Sequence, residues 1–390
     1  MEIPMHAFLR YASISLALTF GSAVAEVAPD KMDIESVIDS AVIPIIQEHG
    51  IPGLAVAVSI GGKRHFRNYG VLSKESLDKV DQRTIFEIGS LSKTFTATLS
   101  SYAERTGAIS LSDTVGMHLS SLRTTPIGDV SLLNLGTYTA GGLPLQFPDE
   151  ISTERDVMEY FKTWNPSFER GQQRLYSNPS IGLLGYIAAA SLGLSFTNAV
   201  EEIVLSPLKM NNTFYFVPSN KLQTYALGYT RDNRPTRVKP GVFDSEAYGA
   251  KTTSEDLISF IEANMHAGKD SNALRNAIED THIGRFKTDS LTQGLGWESL
   301  SLPLTLEKLE GSTSSEVALK PALVSRSSVS KVEFLHKTGS TSGFGAYAAF
   351  FPFESVGIVM LANKNYPNSA RVRAAFRILK EVTPKLKEAQ

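Results

Sequence analysis

Strand patterning falls at both ends of this chain, with helix and loop between, and that placement limits the fold more than any other feature. Leu54 to Ile60 reads as a strand, Gly61-Gly62 as a two-residue hairpin turn, and His65 to Tyr69 as the returning strand. Near the other end, Val332 to Lys337, Gly345 to Phe351 and Val356 to Ala362 are three short strands, the last two joined through Glu354-Ser355. Ile34, Val37, Ile38, Ala41 and Ile45 follow helical spacing, with Pro44 a point where the helix would kink. Val372, Ala375, Phe376, Leu379 and Val382 mark a terminal helix in the same way. Further helices are expected over Leu91 to Glu104, Val157 to Trp164, Ile181 to Leu192, Phe196 to Leu205 and Asp256 to Met265. The fold class is therefore α+β: one antiparallel sheet built from both chain ends, flanked by terminal helices, with a mainly helical lobe inserted. Residues 26–100 and 230–390 would form the sheet lobe and residues 101–229 the helical lobe.

The first 25 residues read as an export leader. Arg10 gives a cationic start, Tyr11 to Phe20 an apolar stretch too short to span a bilayer, and Ala23-Val24-Ala25 a small-residue cleavage site. Cleavage after Ala25 would release a periplasmic protein, since no later apolar run is long enough for a membrane helix.

Composition excludes several kinds of chemistry. The chain has no cysteine, so thiol catalysis and zinc–thiolate sites are out. Its histidines are scattered, with no His-Glu-x-x-His spacing, which argues against a catalytic zinc. A net charge of -2 leaves no basic footprint for nucleic acid.

Three motifs carry the chemistry, and their order matters. Ser90-Leu91-Ser92-Lys93 follows Phe86-Glu87-Ile88-Gly89 and opens a helix, so Lys93 rises one turn on, beside the Ser90 hydroxyl. A neutral amine there can take the serine proton if burial and nearby cations lower its pKa. Tyr176-Ser177-Asn178 lies in a loop ahead of the Ile181 helix. It supplies a phenol whose pKa neighbouring lysines would lower, and an amide suited to a substrate's amide side chain. Lys337-Thr338-Gly339 ends a strand in a glycine-rich run, where cation and hydroxyl can bind a carboxylate. The N–H of Ser340 can complete an oxyanion hole with the N–H of Ser90. Singly these motifs are weak: Ser76 to Lys79 and Ser328 to Lys331 repeat the first, and Tyr366-Pro367-Asn368 repeats the second. Together they compose an acyl-transfer site that makes and breaks a serine ester.

With these motifs in place, the chain resembles the class C serine β-lactamases of the penicillin-recognising family along nearly all of its mature length. Thr137-Tyr138-Thr139-Ala140-Gly141-Gly142-Leu143-Pro144-Leu145-Gln146, Glu246-Ala247-Tyr248-Gly249, Gln293-Gly294-Leu295-Gly296-Trp297-Glu298 and Leu361-Ala362-Asn363-Lys364-Asn365-Tyr366-Pro367-Asn368 carry the resemblance further. It implies hydrolysis of β-lactam antibiotics, cephalosporins preferentially, and so antibiotic resistance. It implies that Ser90 is acylated while Lys93 and Tyr176 share the proton transfers. Gln146 and Asn178 would hold the substrate's acylamino side chain, with Tyr248 packing beside it. Lys337, Thr338, Asn365, Asn368 and Arg371 would face the carboxylate beside Gly339. No cofactor is implied, the partner is a small β-lactam, and the family suggests a monomer. Leu227, Ser342, the loop from Thr230 to Gly241 and the stretch from Ser299 to Val332 depart from the common pattern, which leaves the substrate spectrum open. A D-alanyl-D-alanine carboxypeptidase or related esterase would share the serine, lysine and tyrosine.

Overall fold

The computed structural model of the chain describes residues 33–265, 272–329 and 332–387. The leader expected over residues 1–25 lies outside them. Among the described residues, nine strands form one sheet, every neighbouring pair antiparallel. They are β1 (Gly53–Ile60), β2 (Lys63–Gly70), β3 (Gly284–Lys287), β4 (Thr292–Gln293), β5 (Glu298–Leu300), β6 (Ser325–Val329), β7 (Phe334–Ser340), β8 (Gly345–Phe351) and β9 (Val356–Ala362). The spatial order is β6-β3-β4-β5-β7-β8-β9-β1-β2. The chain ends meet toward one edge of the sheet, where β1, flanked by the edge strand β2, pairs with β9, Leu54 opposite Ala362 and Ile60 opposite Val356.

The alternation of side chains along each strand assigns the two faces. Leu54, Val56 and Val58 join Tyr347, Ala349, Ile358 and Met360 under the terminal helices Ile34–His49 and Asn368–Val382. The first of these is one helix with Pro44 inside it. Ala55, Ala57, Ala346, Ala348, Val359 and Leu361 face the other way, against Leu257, Ile258, Phe260 and Ile261 of the Ser254–Met265 helix. Each large apolar side chain so buried contributes about 1.5–3 kcal/mol, which is why a sheet covered on both faces tolerates no slip in register.

The helix Ser92–Arg105 lies between this core and a helical one. Its Phe95 and Leu99 pack toward the sheet side, and its Ala97 and Ala103 toward Leu135, Val157, Phe161, Ile181 and Leu184. It is buried on all sides although it is rich in serine and threonine. Some of the hydroxyls are satisfied on the helix's own backbone: Thr98 donates to Thr94 O at 2.8 Å and Ser100 to Thr96 O at 2.8 Å. Residues 196–226, read as part of the helical lobe, send Phe196, Val200, Val204, Tyr215 and Tyr225 into the sheet-side core. No single helix among the described residues is long and apolar enough to cross a membrane.

Candidate active site

Ser90 sits in the 3-10 turn Gly89–Leu91 that leads into the Ser92–Arg105 helix. Gly89 has a φ of +51°, and a Cβ there would stand 2.4 Å from Ser340 O. Glycine is therefore needed twice over, for the left-handed backbone and for the approach of β7. Ser92 Oγ pins the turn, donating to Gly89 O at 2.7 Å and accepting from the Ala250 amide at 3.0 Å. Lys93 is buried, and its Nζ donates to Ser90 Oγ at 3.1 Å and to Ala247 O at 2.6 Å. Burial, helped by the charge of Lys337, pulls the Lys93 ammonium below the usual lysine range, although Tyr176 opposes the shift.

Tyr176 stands between two ammonium groups. Lys93 Nζ lies 5.0 Å and Lys337 Nζ 4.9 Å from its ring centroid, and the ring packs against Tyr138 at 4.7 Å. Its hydroxyl is buried and forms no hydrogen bond of good geometry, yet Ser90 and both lysines act on its charge. Burial alone would push this phenol up. The charges of Lys337 and Lys93 outweigh it and bring Tyr176 below the ordinary phenol value.

Lys337 lies inside β7 rather than at the strand's end, because pairing with β8 continues from Lys337–Ala348 to Ser340–Gly345. Its Nζ donates to Glu298 Oε1 at 3.1 Å, and the same oxygen accepts from Arg174 Nη2 at 3.1 Å. Burial works against the Lys337 charge, but Glu298 and Tyr176 more than compensate and raise its pKa. Glu298 shows the converse: burial would raise its carboxyl, while Lys337 and Arg174 hold it below the usual range. Both charges are therefore kept in a nearly water-free site.

Sequence reasoning gave Glu298 and Arg174 no role. Arg174 is two residues before Tyr176, so the period of an extended segment puts both on one side. That signal was present. The Glu298 signal was not, since only the hairpin of β4 and β5 brings it opposite His336 on β7.

The cleft holds about 180 Å³ and is lined by Ser90, Tyr176, Lys337, Thr338, Gly339, Ser340 and Asn368, with Ser312, Thr313, Ser314 and Val317 on the facing wall. Arg174 Nη1 fastens that wall by donating to Val317 O at 2.9 Å. The other expected residues are placed as follows. Asn178 is the first residue of the Asn178–Ser191 helix, whose cap is the Ser177 side chain, so the motif runs from the loop that carries Tyr176 into the helix start. Its amide donates to Leu145 O at 3.0 Å, which brings the exposed Gln146 beside it, and its Oδ1 is buried without a partner. Tyr248 is half-buried and follows Ala247, the carbonyl that holds Lys93. Asn368 donates to Thr313 O at 3.2 Å. Asn365 donates to Thr341 O at 2.8 Å and stands outside the cleft lining.

Arg371 does not face the cleft, contrary to the sequence expectation. It is fully buried, and its Nη1 donates to Gly339 O at 2.7 Å and Ser340 Oγ at 2.9 Å, while Nη2 donates to Tyr366 O at 2.5 Å. It braces β7 from behind. Among the described residues, no group of three His, Asp or Glu side chains converges in a way that could hold a metal ion.

A serine with an amine on its hydroxyl, a phenol of lowered pKa and a cleft lined by the Lys337 ammonium can form an ester and direct water at it. The geometry has known counterparts. The family model Beta-lactamase matches residues 38–383. A Beta-lactamase of Pseudomonas fluorescens is 48% identical over 351 residues, covering 89% of this chain and 98% of that protein. The crystal structure of a Beta-Lactamase/D-Alanine Carboxypeptidase from Pseudomonas syringae superposes with a TM-score of 0.88 at 41% identity, over 90% of this chain and 100% of that one. A class C beta lactamase from Rhodobacter sphaeroides gives a TM-score of 0.85 at 40% identity, over 89% and 99%.

Proposed function

The chain belongs to the beta-lactamase family as a class C serine enzyme that hydrolyses β-lactams, and from that premise we propose that hydrolysis runs through an acyl ester on Ser90, with cephalosporins the preferred substrates. The observation that carries this reading is Tyr176 held between Lys93 and Lys337 while Lys93 Nζ contacts Ser90 Oγ at 3.1 Å.

In this mechanism the Ser90 oxygen attacks the lactam carbonyl, and its proton passes to the Lys93–Tyr176 pair. The carbonyl oxygen, now negative, is received by the N–H groups of Ser90 and Ser340. The C–N bond breaks, and the ring nitrogen takes the proton from the same pair. Lys337 and Thr338, with Asn368 beside them, receive the carboxylate that accompanies the ring. Asn178 and Gln146 receive the acylamino group, the unpaired Asn178 Oδ1 suiting its N–H. Water then attacks the ester, deprotonated by the Tyr176 phenolate, and Ser90 leaves as a hydroxyl.

Hydrolysis of a chromogenic cephalosporin by the purified mature protein tests this, with Ser90→Ala alongside. Turnover lost in the variant, with the fold intact, is the expected result; turnover retained by Ser90→Ala would refute the acyl-serine route. A stoichiometric burst without turnover would favour a D-alanine carboxypeptidase activity, as one solved relative's description allows. The cephalosporin preference is read from kcat/KM on cephalosporins against penicillins. Export to the periplasm follows from the leader pattern of residues 1–25, and a mature N-terminus at Glu26 is its test.

A further inference from the structure

A second cavity, of about 460 Å³, lies apart from the hydrolytic cleft and shares no lining residue with it. Its walls are Val157 of the Glu154–Thr163 helix, Ala189 and Ala190 of the Asn178–Ser191 helix, Phe196, and Phe243 ahead of the short Asp244–Ala247 helix. This volume is that of a small-molecule site. Its charged groups are both acidic, Glu246 and Glu154 at the rim; Ser195 and the Tyr186 hydroxyl, which donates to Glu154 Oε1 at 2.5 Å, are its neutral polar groups. No lysine or arginine lines it.

Glu246 is the unusual member. It is only 8% exposed, yet among the described residues no other side chain or backbone group hydrogen-bonds to its carboxylate. Burial, reinforced by Asp244 and Glu154, pushes it up to about 7, against the pull of its own amide. A buried carboxylate left without a cation is costly, and the protein keeps this one open to a cavity with apolar walls.

We propose that this cavity binds a small organic cation, an ammonium group on an aromatic or alkyl body, with the ammonium on Glu246 and the body against Val157, Phe196 and Phe243. The charge complementarity and the apolar walls both require this amphiphilic form. The site is also joined to the catalytic one. The Glu246 carbonyl accepts from Thr96 Oγ1 at 2.5 Å, and the next carbonyl, Ala247 O, holds Lys93 Nζ at 2.6 Å. A cation that fixes Glu246 therefore acts on the anchor of Lys93, and an acyl group on Ser90 acts back on cation affinity by the same factor.

Titration calorimetry of the mature protein with benzylammonium chloride tests this, with benzyl alcohol as the uncharged comparison. One saturable site is expected for benzylammonium, with affinity lower by about tenfold or more for the alcohol and in Glu246→Gln. Ala190→Trp, on an exposed helix position at the cavity wall, closes the space without touching Glu246 and is expected to abolish binding. Benzylammonium should alter chromogenic turnover without competing with substrate. Absence of saturable binding to the wild type, equal affinity for the alcohol, undiminished affinity in folded Ala190→Trp, or simple competition with substrate would each overturn the proposal. The calorimetric outcomes are read as heat without turnover and do not depend on the hydrolytic reading; only the competition measurement rests on it.

Discussion

A Cβ on Gly339 would stand 1.9 Å from the carbonyl oxygen of Ile88. The strand that carries Lys337 and the turn that carries Ser90 are thus in backbone contact, and this contact sets the spacing of the two amides proposed to receive the oxyanion. Arg371 holds the outer side of the same strand through Gly339 O and Ser340 Oγ.

Gly339→Ala should force β7 away from the Ser90 turn. The expected result is a loss of about 100-fold in kcat/KM and about 1–3 kcal/mol of stability, since a displacement near 1 Å at a reacting centre is that costly. Gly311→Ala is the control. It lies in the Leu306–Ser312 helix with no atom within 4 Å of a new Cβ, and should gain about 0.5–1 kcal/mol. Thermal melts and steady-state kinetics on the pair decide it.

Glu298→Gln and Lys337→Ala should move the acid limb of the pH–rate profile in opposite directions. Glu298 opposes the lowering of the Tyr176 phenol and Lys337 drives it. Removing Glu298 therefore shifts the limb to lower pH, and removing Lys337 shifts it to higher pH. Glu298→Gln should also cost about 3–5 kcal/mol, because it leaves buried cations uncompensated. Movement in a common direction would exclude Tyr176 as the titrating base.

Lys337→Ala should weaken carboxylate-bearing substrates more than an uncharged ester, measured as the ratio of their kcat/KM values. Arg371→Lys should not change that ratio, because Arg371 is behind β7. It should instead lower stability by about 2–4 kcal/mol through lost hydrogen bonds to Gly339 O, Ser340 Oγ and Tyr366 O. A selective loss on carboxylate substrates in Arg371→Lys would restore the role the sequence suggested.

Acid should destabilise the fold through two buried histidines. Burial pushes His282 down from 6.5 to about 3, and His336 from 6.5 to about 4. Between those values and 6.5 the unfolded chain binds protons that the folded one refuses, so stability falls as pH drops through that window. Each histidine contributes a slope of up to about 1.4 kcal/mol per pH unit. His282→Gln can keep a hydrogen bond to Asn264 Oδ1 and should remove roughly half the slope between about pH 6 and pH 4 in urea melts.

Much of this protein is legible in the chain itself. The β8 and β9 boundaries were read to the residue, because alternating or continuous apolar runs ended by turn residues have one good register. The pairing of Ser90 with Lys93 was also legible, since three residues on a helix bring side chains together whatever surrounds them. Sequence pattern and structure part where tertiary packing overrides the pattern. The glycines after Lys337 mark it locally as a strand end, but Gly339 serves close packing on Ile88 within the strand. The family resemblance implies that Arg371 faces the carboxylate, but helical rotation turns it inward, under Gly339.

The sequence by itself determined the fold class, the order of the motifs and the Ser90–Lys93 contact, because periodicity and short-range geometry act within a few residues. Tertiary structure alone decided the electrostatics beyond the lysines expected near Tyr176. The Glu298 link from Lys337 to Arg174 and the placing of buried Glu246 near Glu154 join residues far apart in the chain. Their charges depend on how much water folding excludes, and no local pattern encodes that quantity.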